Sequence, residues 1–218
     1  MLKRIAVIAA VLIAVLALVI ATRPAHLHVE RSLSIAVPPA VVFPLINDFR
    51  DWSSWSPWEK LDPNMKREIS GAPQGKGSLY SWSGNDQVGV GSMEITDSAA
   101  PEQVKIRLEF KQPWQATNET TFTLVPTKQG TRVTWAMDGE NNFGAKAMSM
   151  FMDMDQMVGK DFEAGLANLG AIAEAAAEQQ RAAAAAARPA EAPNAPAAVG
   201  ADPGAAIPAA GAGNTPVR

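Results

Sequence analysis

Alternation of apolar and polar residues in the middle of the chain predicts a series of antiparallel strands. The clearest case runs from Glu102 to Lys111, where Val104, Ile106, Leu108 and Phe110 alternate with polar or charged residues. This is the period of a strand with one buried face. The same reasoning predicts five further strands: His28 to Val37, Gly75 to Gly84, Val88 to Thr96, Thr117 to Pro126 and Thr131 to Met137. One face of such a sheet is polar, so the other face needs a cover.

The segment from Asn142 to Glu174 is predicted to be that cover, as one long amphipathic helix. Its apolar residues fall on one broad stripe at helical spacing: Met148, Phe151, Met152, Met154, Val158, Phe162, Leu166, Leu169 and Ile172. Gly159 and Gly165 interrupt the helix at a cost in helix propensity, which indicates a close approach by backbone or ligand.

Methionine is concentrated in the first half of this helix. The residues concerned are Met148, Met150, Met152, Met154 and Met157. Because methionine is flexible and polarisable, such a surface suits either the wall of an apolar ligand cavity or the filling of gaps in a core. Both interpretations stay open. Asp155 falls on the same side as Phe151 and Phe162, where a carboxylate belongs either to a solvated helix start or to a site.

A tryptophan-rich segment follows a short helix predicted from Ala40 to Ile46. Trp52, Trp55 and Trp58 recur at intervals of three within the segment Asn47 to Pro63. Three indoles present too much apolar area to leave in water, so some of them are expected to pack under the long helix or to border an opening. Stacking on a carbohydrate or another ligand is the alternative.

The two ends of the chain differ from its middle, and three regions result: an anchor or signal segment (1–27), a folded domain (28–176) and an Ala/Pro-rich disordered tail (177–218). Ile5 to Ala21 is an unbroken apolar run preceded by Lys3 and Arg4. Its length is at the short limit for a membrane-spanning helix, so an uncleaved anchor is favoured over a cleaved signal peptide. The basic flank predicts a cytoplasmic N-terminus, which would place the domain outside the inner membrane.

Composition removes several classes of chemistry. A net charge of −3 and the absence of a basic footprint argue against nucleic acid as a partner. The chain has no cysteine, and its only histidines, His26 and His28, are interpreted as exposed linker residues. We therefore expect no metal and no cofactor. The remaining candidates for acid–base chemistry, none of them paired at a telling spacing, are Asp155, Glu94, Glu140, Asp161 and Tyr80.

The order of elements resembles that of the SRPBCC superfamily, which includes START-like and Bet v 1-like proteins, and in particular its polyketide cyclase/dehydrase branch. The residues that carry the resemblance are VFPLINDF (42–49), WSSWSPW (52–58) with Asp62-Pro63, GKGSLYSW (75–82) and GKDFEAGL (159–166). It spans about residues 28 to 174. The resemblance implies an α+β helix-grip fold, with an antiparallel sheet curved around the C-terminal helix and an apolar cavity between them.

These observations together favour a membrane-anchored protein that binds a small hydrophobic molecule or lipid without catalysis. The candidate cavity residues are Tyr80, Trp82, Trp135, Met148, Phe151, Met154, Asp155 and Phe162. Two alternatives stay open: an enzyme of the cyclase or dehydratase type that uses cavity carboxylates, and a structural or interaction protein of the envelope. A carboxylate pair inside a cavity would favour the enzyme, and a filled cavity would favour the structural role. The sequence leaves the oligomeric state open.

Overall fold

A seven-stranded antiparallel sheet forms the centre of the protein in a computed structural model that describes residues 2–187. The strands are β1 (His26–Ile35), β2 (Lys66–Gly71), β3 (Ser78–Ser83), β4 (Val90–Ala99), β5 (Gln103–Gln112), β6 (Ala116–Thr127) and β7 (Gly130–Glu140). Their order across the sheet is β1-β7-β6-β5-β4-β3-β2, so β2 to β7 form a meander and β1 closes on β7. All six strands predicted from alternation are present, and β2 is a seventh.

The described helices are α1 (Leu2–Ala21), α2 (Pro39–Asn47), α3 (Trp52–Trp55), α4 (Phe143–Met148) and α5 (Met154–Ala186), with a 3-10 turn at Pro57–Lys60. Helix α5 crosses the inner face of the curved sheet, where it contacts β1 and also packs on α2 and α3. Its buried side chains include Phe162, Leu166 and Leu169. The α+β helix-grip fold is thus confirmed, with the core between α5 and the sheet.

The predicted single helix from Asn142 to Glu174 is wrong at its start. Asn142 caps α4, since its side chain accepts a hydrogen bond from the Ala145 amide at 2.9 Å. Asp153 caps α5 in the same way by accepting from the Gln156 amide at 3.0 Å. Two N-caps so close in sequence start two separate helices, and residues 149–153 link them. Met148 and Phe151 therefore do not belong to the long helix.

Both expected boundaries of the folded domain shift slightly. Strand β1 begins at His26, so His26 and His28 are strand residues, and their interpretation as linker residues is wrong. At the other end α5 continues to Ala186, and Ala177 is still buried. Of the expected 177–218 tail, residues 188–218 lie outside the described part of the chain.

The N-terminal helix α1 is almost entirely exposed, with Ile20 as its one buried residue. It is long enough and apolar enough to cross a membrane. A signal sequence near an N-terminus would satisfy the same criterion.

Candidate functional site

An aromatic cluster fills the space between the middle of α5 and the sheet. The rings of Trp135 on β7 and Phe162 on α5 are stacked, with centroids 4.1 Å apart and planes 8° from parallel. Phe122, which pairs in register with Trp135 on the neighbouring strand, lies 4.7 Å from this indole between centroids. Trp52 and Trp55 complete the cluster from α3, with edge-on contacts to Trp135. This part of the interior is packed core and not the open cavity that the family resemblance implied.

The tryptophans of α3 are structural. Trp52 is 4% exposed and Trp55 is fully buried, so the alternative of carbohydrate stacking is wrong for these two residues. Their indole N–H groups donate to the backbone carbonyls of Ile46 and Leu45, both at 2.9 Å. These bonds fix α3 against the end of α2. Of the residues that the structure describes, none accepts a hydrogen bond from the buried Nε1 of Trp135.

Tyr80 is hydrogen-bonded to the buried carboxylate of Glu59, a residue that sequence reasoning missed. Its hydroxyl donates to Glu59 Oε1 at 2.5 Å, and the Glu59 side chain is only 8% exposed. Arg67 Nε lies 2.6 Å from Glu59 Oε2, although its N–H does not point at that oxygen, so the contact is an ion pair. Burial, and next the hydrogen bond to Glu59, raise the pKa of Tyr80 above its ordinary value. A neutral tyrosine that donates to a paired carboxylate is suited to holding the 3-10 turn on β2 and β3.

Asp155 is committed to an ion pair at the start of α5. Both its carboxylate oxygens accept hydrogen bonds from Arg31 of β1, each at 3.0 Å. Arg31 also donates through Nε to Glu163 at 3.0 Å. The hydrogen bond from Arg31 holds the pKa of Asp155 below its usual range. A Cβ at Gly159 would overlap the Arg31 guanidinium, which is the close approach that this glycine permits.

The other acid–base candidates are dispersed. Glu94 pairs with Arg107 on the neighbouring strand, and Glu140 is exposed at the end of β7. Asp161 is partly buried, and its burial raises the pKa while the nearby Trp58 indole opposes that shift. Within residues 2–187, these candidates do not converge on one site.

An open cleft lies at one end of the sheet, beside the C-terminal end of α1. It has a volume of about 490 Å³, within the range of small-molecule sites. One wall comes from the chain that follows α1, with Arg23 and Pro24, and from the start of β1, with His26, Leu27 and His28. The other wall is segment 149–154, which consists of the link between α4 and α5 and the first residue of α5. It carries Met150, Phe151, Met152 and Met154.

The sheet changes character toward this end. By register, Leu27 pairs with Gly139 and Gly139 pairs with Asn118. The next inward pair is Met137 with Thr120. Asn118 and Thr120 are buried, so small and polar residues line this part of the inner face. The middle of the same face is filled by the aromatic cluster.

The eight predicted cavity residues do not form one site. Tyr80, Trp82, Trp135 and Phe162 belong to the buried core. Phe151 and Met154 line the cleft, Met148 is partly exposed in α4, and Asp155 faces Arg31. Sequence reasoning missed Leu27 and Asn141, which also line the cleft. No local signal identifies them, because their proximity to segment 149–154 depends on the pairing of β1 with β7.

A long C-terminal helix across the inner face of a curved antiparallel sheet, with two short helices after the first strand, defines the helix-grip class. Solved structures share this fold. Protein MLL2253 from Mesorhizobium loti is 16% identical, with 68% of this chain and 97% of that chain covered and a TM-score of 0.51. Protein SA2116 of unknown function from Staphylococcus aureus is 16% identical, with 72% and 99% covered and a TM-score of 0.51.

The family follows from a profile match over residues 26–174, described as polyketide cyclase / dehydrase and lipid transport. The chain belongs to this family, within the SRPBCC superfamily. A search of curated proteins returned no significant match. The matched range covers the described fold from the first residue of β1 to the middle of α5.

Proposed function

We propose that this protein is membrane-anchored and binds a small amphiphilic lipid or similar hydrophobic molecule. The ligand is held in the cleft beside the C-terminal end of α1. The family description, which includes lipid transport, supports a ligand of this class. The proposal moves the expected cavity from beneath the middle of α5 to the end of the sheet.

The observation that carries the proposal is the exposed apolar wall of the cleft. Phe151 is 84% exposed, and Met152 next to it is 41% exposed. Adjacent exposed apolar side chains at the mouth of a cleft mark an interaction surface, and methionines adapt to ligands of irregular shape.

The opposite wall supports an amphiphile over a purely apolar ligand. Arg23 contributes a cation, and Asn141 contributes an amide that donates to the carbonyl of Pro24 at 3.3 Å. An acyl chain along Phe151 and Met154 would leave an anionic or polar head group near Arg23. A cation at a partly apolar site favours an anionic head group.

The position of the cleft supports a role at a membrane. Arg23 follows the end of α1 at Ala21 by two residues, so a membrane-spanning α1 would hold the cleft at the bilayer surface. In this arrangement the protein is a single-pass inner-membrane protein with its domain on the periplasmic side. Cleavage after α1 would instead give a soluble periplasmic binder with the same cleft.

Native mass spectrometry of the full chain, released from detergent micelles, tests the proposal. We expect the wild type to retain one amphiphile per chain. Phe151→Ser removes the apolar wall and Met154→Trp fills the cleft, so both variants should lose it. Trp114→Ser is the matched control, because Trp114 is a similarly exposed aromatic residue, at 71%, and does not line the cleft. Equal retention by all variants, or equal loss in the control, would refute the cleft as the binding site.

A further inference from the structure

The two histidines of the chain meet one aspartate on the outer face of the sheet. His26 and His28 are separated by one residue on β1, so their side chains lie on the same face. His28 pairs in register with Asp138 of β7. Because the next inward residues are Val29 and Met137, which are buried, the three polar side chains point away from the core.

The ligand atoms of these three residues converge. His26 Nε2 lies 3.1 Å from Asp138 Oδ1, and His28 Nδ1 lies 2.7 Å from the same oxygen. Bond lengths of 2.0–2.2 Å to zinc place neighbouring ligand atoms about 3.3 Å apart in a tetrahedral site. The two separations from Asp138 are close to this value, and all three ligand atoms lie within 4.8 Å of one another. Small rotations of the side chains would therefore admit the ion.

We propose that His26, His28 and Asp138 bind one divalent transition-metal ion, with Zn²⁺ as the ion that the ligand set fits best. Two imidazole nitrogens and one carboxylate oxygen suit zinc, and three protein ligands leave one coordination position for water. His26 and His28 also line the cleft, so the ion would lie at its rim. The proposal does not depend on a bound lipid, because all three ligands are side chains of the chain itself.

A second carboxylate supports this assignment. His28 Nε2, the ring nitrogen that does not face Asp138, lies 4.0 Å from Glu30 Oε2. Histidines that bind metals commonly present their other ring nitrogen to a carboxylate, which orients the ring and increases its basicity. Glu30 lies two residues further along the same face of β1, so a rotation of its side chain would bring the carboxylate from 4.0 Å to hydrogen-bond distance.

A plain network of ion pairs is the competing interpretation. The three side chains are between 44% and 62% exposed, and exposed ion pairs contribute little stability. A bound ion would instead cross-link the first residues of β1 to β7. That cross-link begins five residues after α1 ends at Ala21, so zinc would fix the start of the domain relative to the anchor.

Metal binding by the full chain in detergent micelles tests the proposal. The protein is purified without a histidine tag and treated with a chelator, and Co²⁺ is then added as a spectroscopic substitute for Zn²⁺. We expect one Co²⁺ per chain, visible absorption of a tetrahedral site, and displacement by one equivalent of Zn²⁺. Since the chain has only two histidines and no cysteine, His26→Ala with His28→Ala removes every nitrogen or thiolate side-chain ligand that ordinarily binds zinc.

Single substitutions localise the ion. His28→Ala and Asp138→Asn should each weaken binding by about tenfold or more. Asp97→Asn, which alters an exposed carboxylate on β4, should leave binding unchanged. Thermal unfolding of the same variants is a second measurement, because an ion that binds only the native state raises the melting temperature. The added ion should raise it for the wild type and for Asp97→Asn, and should leave it unchanged for His28→Ala and Asp138→Asn. Absence of stoichiometric binding, or equal binding in Asp138→Asn and Asp97→Asn, would overturn the proposal.

Discussion

Gly165 of α5 lies directly against the indole of Trp135. A Cβ at position 165 would stand 2.8 Å from Cζ3 of Trp135 and 3.2 Å from Cδ of Pro57. Neither neighbour is the end of a flexible side chain, so neither can move away easily. The glycine thus lets the helix approach the aromatic cluster that fills the centre of the fold.

This contact predicts opposite effects of two alanine substitutions in α5. Gly165→Ala should lower the free energy of unfolding by about 1 to 3 kcal/mol, because it overpacks a rigid aromatic surface. Gly170→Ala is the matched control, since its nearest neighbours would be 3.6 Å from the added Cβ, an ordinary contact. It should raise the free energy of unfolding by up to about 1 kcal/mol through helix propensity. Urea denaturation of both variants measures the difference, and a stabilising Gly165→Ala would contradict this packing.

The stack of Trp135 on Phe162 predicts a large loss on truncation. Phe162 is 2% exposed, so Phe162→Ala should cost about 3 to 5 kcal/mol of unfolding free energy. Phe151→Ala removes the same ring from an 84% exposed position and should leave the denaturation midpoint nearly unchanged. Equal midpoints for the two variants would mean that the cluster is loosely packed.

The raised pKa of Tyr80 predicts that the stability of the folded protein depends on pH in the alkaline range. Tyr80 is the only tyrosine in the chain, so the ultraviolet absorbance of tyrosinate reports its ionisation alone. Because its pKa is raised in the folded protein, the folded state keeps the proton after the unfolded state has lost it. Its contribution to stability is therefore fully present below pH of about 10, the ordinary pKa of tyrosine, and declines as the pH rises above that value.

Glu59→Gln provides the control for the titration. It replaces the carboxylate whose hydrogen bond and then whose charge are, after burial, the largest causes of the raised pKa of Tyr80. Tyrosinate should then form at lower pH in the variant than in the wild type. Ionisation of the wild type at its ordinary pKa while the protein remains folded would contradict the buried Tyr80–Glu59 contact.

Membrane attachment through α1 predicts the outcome of cell fractionation. Its 20 residues match the length that spans a bilayer, so the protein should remain with membranes after an alkaline wash. Removal of residues 2–21 should release the domain to the soluble fraction. The whole gene is expressed in this test. If its product is soluble and begins near Thr22, the segment is a cleaved signal.

The sheet was predictable because alternation is a local signal. Val104 and Ile106 mark the buried face of β5 without knowledge of any partner strand. The break before α5 was missed because Met148, Phe151 and Met152 continue the apolar spacing of a helix, and this spacing concealed the cap at Asp153.

Local sequence patterns did not predict the contacts between segments that are distant in the chain. The pairing of His28 with Asp138 depends on the register of two strands more than a hundred residues apart. Glu59 lies in a short turn after Pro57 and carries no periodic signal that indicates burial. The packing of Trp135 against Phe162 was likewise unforeseen, since both residue types suit a cavity wall as well as a core.

Photochemical cross-linking of the full chain in membranes tests the central claim most directly. A photoactivatable fatty acid is added, and the labelled positions are mapped by mass spectrometry of peptides. Label on α1 is expected from contact with the bilayer in any case, and it serves as an internal control. The cleft predicts additional label within residues 149–154 and 23–27, lost on Met154→Trp and retained in Trp114→Ser. Label confined to α1, or unchanged at 149–154 in Met154→Trp, would contradict the binding of an amphiphile in the cleft.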